Sequence, residues 1–201
     1  MNRFIDSYMQ YTETINLSFG KRISQPVRLF LYCHRVIIRE MKKEIKDILT
    51  KGLAEGYAGK SAGGKVERAG FTLDSSDYEG PEGKYHDEWA AHELGGGQEI
   101  SETPDGEKAT RVYAGGTIDK EKLEKLGLTG KDVVKKLIFF VNKLRNKTRL
   151  DTDTEAVEGD WIYSYRIIEP IKEIPVTAGV EKIKFKGNPV FIHFHINSPV
   201  K

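Results

Sequence analysis

From Lys42 to Ala54 the apolar side chains fall at Ile45, Ile48, Leu49 and Leu53, the i, i+3, i+4 spacing of an amphipathic helix. Gly52 and Gly56 end it, and Tyr57-Ala58-Gly59 leads away. Residues 59–70 (GKSAGGKVERAG) lose all period and predict a loop. They lack the Gly-x-x-x-x-Gly-Lys-Ser/Thr spacing of a phosphate cradle. Phe71-Thr72-Leu73 predicts a short strand.

The pattern then changes to alternation. Along 84–93 (KYHDEWAAHE), Tyr85, Asp87, Trp89 and Ala91 share one strand face while His86, Glu88 and His92 share the other. The aromatic face is the one expected to be buried, which wedges Asp87 between Tyr85 and Trp89. A carboxyl group there needs a hydrogen bond or a raised pKa, because burying an unpaired ion is costly. Gly95-Gly96-Gly97 predicts a tight turn or bulge, and Gln98-Glu99-Ile100 opens the next strand. Thr103-Pro104-Asp105-Gly106 is a turn. Lys108–Ala114 returns as a third strand, ended by Gly115-Gly116.

Asp119 predicts the cap of a short helix running to Leu126, and Thr129 that of a longer one. The longer helix carries a stripe of Val133, Val134, Leu137, Ile138, Val141 and Leu144, with a lysine-rich opposite face read as solvated. Residues 146–160 read as a polar connection. Trp161–Ile168 is a strand, and Pro170 and Pro175 mark a sheet edge or loop. Two last strands flank Gly187-Asn188, a hairpin signature. Ile192, Phe194 and Ile196 point one way, and His193 and His195 point to the opposite side, read as solvent.

Each half thus follows one order of elements: helix, connection, a Glu-Gly pair (Glu79-Gly80, Glu158-Gly159), an aromatic strand and a hairpin. The expected architecture is α+β: a mostly antiparallel sheet of about six strands from two α-β-β-β pseudo-repeats (41–117 and 118–201), with helices on one face. In that alignment Asp87 falls opposite Ser164, and Glu99 has no counterpart.

Composition adds bounds. The 201 residues carry a net charge of +2, which gives no sign of a nucleic-acid surface. Cys33 is the single cysteine, so no internal disulfide forms and a reducing compartment is expected. No apolar run approaches the ~20 residues that span a bilayer, and the start lacks a secretory pattern. A cytoplasmic protein without membrane or nucleic-acid partners is the expectation. Residues 1–40 hold six basic and three acidic residues and read as an N-terminal extension, with Met41 beginning an ordinary domain at 41–201.

The residues Gly56-Tyr57-Ala58, Tyr85-His86-Asp87-Glu88, Gln98-Glu99-Ile100 after a Gly-Gly turn, and Tyr113-x-Gly-Gly resemble the prokaryotic family called domain of unknown function 5680. Glu158-Gly159-Asp160-Trp161-Ile162-Tyr163 is similar to the C-terminal part of that family. The resemblance covers about 41–201, and Asn197-Ser198 stands where it leads one to expect Gly-Gly. It implies no established reaction, and hints at a small-molecule sensor.

Three functions follow as expectations. The first is a module binding a small polar ligand through Tyr57, Tyr85, Asp87, Trp89, Glu99 and Tyr113. The second is a hydrolase using Asp87 with a neighbouring carboxylate or histidine. The third is a homodimer subunit. His193-x-His195 has a metal-site spacing but needs a third ligand from His86, His92, Glu88 or Glu99, and the histidines are read as surface rather than as a metal site.

Overall fold

The computed structural model describes residues 41–59, 62–91, 93–168 and 174–201. The extension 1–40 with Cys33, and also His92 and Pro170, lie outside the described residues. A first helix, α1 (Lys43–Glu55), precedes a run of strands: β1 (Ala62–Arg68), β2 (Phe71–Gly80), β3 (Gly83–Ala90), β4 (Leu94–Glu102) and β5 (Lys108–Thr117). Two helices follow, α2 (Lys120–Lys125) and α3 (Gly130–Leu144), with a 3-10 turn at Arg145–Lys147. Then come β6 (Thr154–Glu158), β7 (Trp161–Ile168), β8 (Thr177–Phe185) and β9 (Asn188–Val200).

The nine strands make one antiparallel sheet in the order β1-β2-β3-β4-β5-β9-β8-β7-β6. The coarse α+β expectation holds, with more strands than the three per half read from sequence. Of the three beyond that count, β2 was read only as a short strand at 71–73, while β1 lies in the segment read as a loop and β6 in the segment read as a polar connection. Neither β1 nor β6 has the apolar alternation that announces a strand; ladder hydrogen bonds to β2 and β7 hold them at the sheet edges. No helix among the described residues is long and apolar enough to cross a membrane.

Both long helices pack on one face. From α3, Val133, Leu137, Phe140 and Val141 bury against Tyr163 and Tyr165 of β7, Ile183 of β8 and Phe191 of β9. Each such large side chain contributes about 1.5–3 kcal/mol. Thr129 caps this helix as the sequence predicts, in a reciprocal capping box with Asp132. From α1, Ile45, Ile48 and Leu49 pack around Tyr85.

The last strand reverses its expected orientation. His195 and Asn197 are fully buried on the helix-covered face, with His193 mostly buried beside them. Ile192, Phe194 and Ile196 remain 37%, 50% and 47% exposed on the open face. There they join Val112, which sits opposite Ile196, and Ile100 in an apolar stripe across the sheet centre. The reason lies in the layer beneath the helices, which is polar at the β5–β9–β8 junction and takes the histidines as partners.

Helix α1 can approach the sheet because it has no side chain at Gly52: a Cβ there would lie 2.1 Å from the Tyr85 ring. Gly52→Ala is therefore expected to destabilise the fold by about 1–3 kcal/mol through overpacking. This outweighs the gain of about 1 kcal/mol that alanine brings to a helix. Urea unfolding midpoints measure it, and a neutral result would mean that α1 is free to lift away from Tyr85.

Candidate functional site

Between the sheet and the helices, odd-numbered side chains of β3, β4, β5, β9 and β8 meet in a polar layer. Adjacent strands place Asp87 opposite Glu99, Glu99 opposite Arg111, and Arg111 opposite Asn197. Asp87, Glu99, Arg111, Arg149, Glu181, His195 and Asn197 are all buried. Arg111 pairs with Glu99 through Nη2, and its Nη1 donates to the Arg149 carbonyl at 3.3 Å. Arg149 grips Glu181 with two bonds of 2.9 Å, Nε to Oε1 and Nη2 to Oε2. The Tyr163 hydroxyl also donates to Glu181 Oε1, at 2.7 Å.

Charges taken out of water must be paired this way, since an orphan would cost several kcal/mol. Burial opposes ionisation of Glu181, but the Arg149 guanidinium and the His195 contact prevail and hold its carboxyl well below the usual carboxylate range. Burial opposes the Arg149 charge too, and Glu181 overcomes it.

Among the described residues, Asp87 has no such cation of its own. Burial pushes its carboxyl up to about 8, and the nearby Glu99 carboxylate adds to the rise; the Tyr113 hydroxyl, which donates to Oδ1 at 3.0 Å, pulls it back. Asp87 is thus an uncharged acid at neutral pH. Burial drives the two imidazoles the other way, His193 to about 4 and His195 to about 3, so both are neutral bases.

A cleft opens onto this layer, lined by Tyr57, Asp87, Trp89, Tyr113, Arg149 and His193, with glycine backbone at Gly95, Gly96 and Gly115. Tyr57 and Trp89 meet edge to face at one wall, ring centres 5.5 Å apart. Its enclosed volume of about 30 Å³ suits one or two waters or the tip of a polar group. Larger hollows lie elsewhere, of about 350 Å³ beside Met41, Ile45 and Pro199, and about 550 Å³ beside Glu44 and Pro81. Neither brings buried titratable groups together.

Tyr113 reaches Asp87 two strands away because β4 is bare beneath it. A Cβ on Gly97 would lie 2.5 Å from the Tyr113 hydroxyl oxygen. The glycine run read from sequence as a turn is therefore part of a strand, and its function is to let a tyrosine lie flat across it.

Of the residues expected from sequence, the structure brings Tyr57, Asp87, Trp89 and Tyr113 to the cleft. Tyr85 lies buried under α1, and Glu99 is committed to Arg111, so neither lines it. Sequence reasoning missed Arg111, Arg149 and Glu181, and placed His193 and His195 in solvent. A signal was present for two of these: Glu181 shares its strand face with Ile183, and Arg111 shares one with Ala109 and Tyr113. Arg149 carried none. Among the alternatives for a third metal ligand, His86 and Glu88 stand on the other side of the sheet, where His86 bridges Asp77 and Glu88.

No protein-family model, curated protein or solved structure matches this chain.

The raised acid makes stability depend on pH with a definite sign. Between about pH 4 and about pH 8 the folded chain keeps a proton on Asp87 that the unfolded chain gives up. Its contribution to stability therefore falls as pH rises through that window. His193 and His195 act oppositely below their ordinary 6.5, their contribution rising with pH. Asp87→Asn keeps the polar shape without the proton, so the stability of the variant relative to wild type is expected to climb from pH 4 to 8 and then level off. Urea unfolding across that range checks it; a flat difference would place Asp87 in contact with water.

Proposed function

We propose that this domain binds a small polar ligand, with one polar end inserted in the cleft between Tyr57, Asp87 and His193. The observation that carries the reading is the convergence of a protonated carboxyl group, a tyrosine hydroxyl, a neutral imidazole and a guanidinium on one narrow opening with aromatic walls. Pockets of this kind, apolar at the sides with a few converging polar groups, are where ligands are held. Arg149 uses Nε and Nη2 on Glu181, and among the described residues its Nη1 has no protein partner. With Asp87 in its acid form, the cleft offers donors from Asp87 and Arg149 beside the His193 ring. This complements a carboxamide, carboxylate or hydroxyl end. The sensor role that the resemblance to domain of unknown function 5680 implies agrees with such a cleft.

A second reading has its own support. An acid held near 8 and a base held near 4 at one opening are poised for opposite proton transfers, as a hydrolase using Asp87 and His193 requires. The homodimer reading rests on a different feature, the exposed stripe at Val112, Phe194 and Ile196.

We also read the halves as copies of one unit. Glu99 and Glu181 stand 82 positions apart, as do Gly97 and Gly179. Each glutamate is buried and held by an arginine and each glycine lies under a tyrosine, although Arg111 and Tyr113 come from the strand after Glu99 while Arg149 and Tyr165 precede Glu181, so only the Gly-x-Glu positions themselves share the offset. These correspondences support a duplication and give Glu99 the counterpart that the aromatic strands alone did not reveal.

A thermal-shift screen of the full chain against small carboxylates, amides and polyols tests the main reading. A ligand at a hundredfold excess over its Kd stabilises by about 2.7 kcal/mol, and the Tm rise is expected to vanish in Asp87→Asn. If no compound raises the Tm, or if the rise survives that substitution, ligand binding in this cleft is wrong; turnover of an ester or amide lost in both Asp87→Asn and His193→Ala would favour the hydrolase. For the dimer, sedimentation of wild type over a range of concentrations is expected to show association that Phe194→Asp abolishes, and a monomer throughout removes that reading.

A further inference from the structure

We propose that Glu181, His193 and His195 form a divalent transition-metal site, with zinc(II) the ion best suited to their donors. The site stands on this donor set and does not rest on the ligand-binding reading of the cleft. The three side chains offer ligand atoms that all lie within 4.8 Å of one another. Two imidazole nitrogens aim at a single carboxylate oxygen: His195 Nε2 is 3.4 Å from Glu181 Oε2, and His193 Nδ1 is 3.8 Å from it.

These separations are long for direct hydrogen bonds between an imidazole and a carboxylate, which close to about 2.7–2.9 Å when charge assists them. They are the right length for atoms sharing a metal. Zinc binds imidazole nitrogen at about 2.0–2.1 Å and carboxylate oxygen at about 2.0–2.2 Å, so neighbouring ligands around a tetrahedron stand roughly 3.4 Å apart. A movement of a few tenths of an ångström brings His193 to that distance from Glu181, and the two imidazole nitrogens, within 4.8 Å of one another, draw together around the ion. Among the described residues His193 Nδ1 is moreover buried with no hydrogen-bond partner, an orphan that a metal would satisfy.

The surroundings supply part of a metal site, orienting Glu181, although His195 Nδ1 has no acceptor among the described residues. Alternate residues of one strand project together, so β9 delivers both histidines to one point. Glu181 arrives from β8, where it is registered opposite His193. The Tyr163 hydroxyl and Arg149 Nε both donate to Glu181 Oε1, orienting the carboxylate as outer-shell partners do at metal centres. Arg149 Nη2 occupies Oε2 at 2.9 Å and must yield that oxygen to the ion; its charge opposes the cation and limits affinity. His193 also lines the cleft, which gives the ion a way in and leaves a fourth position for water or a ligand atom. Three protein ligands with one position open is the arrangement of catalytic rather than structural zinc.

Chelator-treated full-length protein titrated with cobalt(II), and separately with zinc(II) by calorimetry, tests this. One ion per chain is expected, with the intense visible bands of four- or five-coordinate cobalt. His193→Ala, at the less buried of the two histidines, is expected to abolish those bands while circular dichroism shows the fold retained. Tyr163→Phe removes an outer-shell donor and is expected to weaken binding by about 10- to 100-fold. His86→Ala, on the opposite face with Asp77 and Glu88, is expected to change nothing. Absence of one-to-one binding in the wild type overturns the proposal, as does binding that survives His193→Ala or disappears with His86→Ala. A positive metal result with no metabolite hit would leave the metal site standing and the ligand reading lost.

Discussion

The fold depends on a buried ion pair. Arg149 and Glu181 lie out of water under the helices, joined by two hydrogen bonds, with the equally buried Arg111–Glu99 pair next to them. Such pairs return little net stability, but breaking one leaves an unpaired charge and costs about 3–5 kcal/mol. The Arg149 backbone adopts a left-handed φ of 60°, a cost of about 1 kcal/mol or more for a residue with a side chain. That turn aims its carbonyl at Arg111 and Asn197, which both donate to it. One residue thus ties the connection after α3 to β5, β8 and β9.

The arrangement of the site follows from that choice. A polar layer in the sheet centre calls for polar neighbours, so β9 turns His193, His195 and Asn197 inward and leaves Ile192, Phe194 and Ile196 facing out. Asp87 sits at the layer's margin, close enough to Glu99 to feel its charge yet without a cation of its own among the described residues, and it keeps its proton. Gly97 and Tyr113 then connect it across the sheet. Acid, base and cleft result from how two arginines were buried.

Much of this was legible in the chain. The alternation around Tyr85, Asp87 and Trp89 placed the acid inside, the Thr129 cap was read as it occurs, and the α3 stripe was read in part, with Val133, Leu137 and Val141 but without the buried Phe140. Residues whose periodicity carries no hydrophobicity were not legible. β1 and β6 are written in glycines and charges, and pair through backbone groups that any sequence provides. Arg149 lies in a stretch with no period, so its burial follows from tertiary packing alone. β9 misled because hydrophobic alternation says that two faces differ without saying which is covered. Its turn also sits one residue earlier than read, at Lys186-Gly187, where both residues take positive φ.

The position of β9 has a consequence for biogenesis. It is the last strand of the sheet to be made, yet it pairs on both sides, with β5 and with β8. Until it leaves the ribosome, the two meanders have no common hydrogen-bonded partner, and β5 and β8 each expose a templating edge. Sheets closed by such distant pairings are slow to form and prone to aggregate while they wait. Nascent chains of this protein should therefore lean on chaperones at the end of synthesis more than at its beginning.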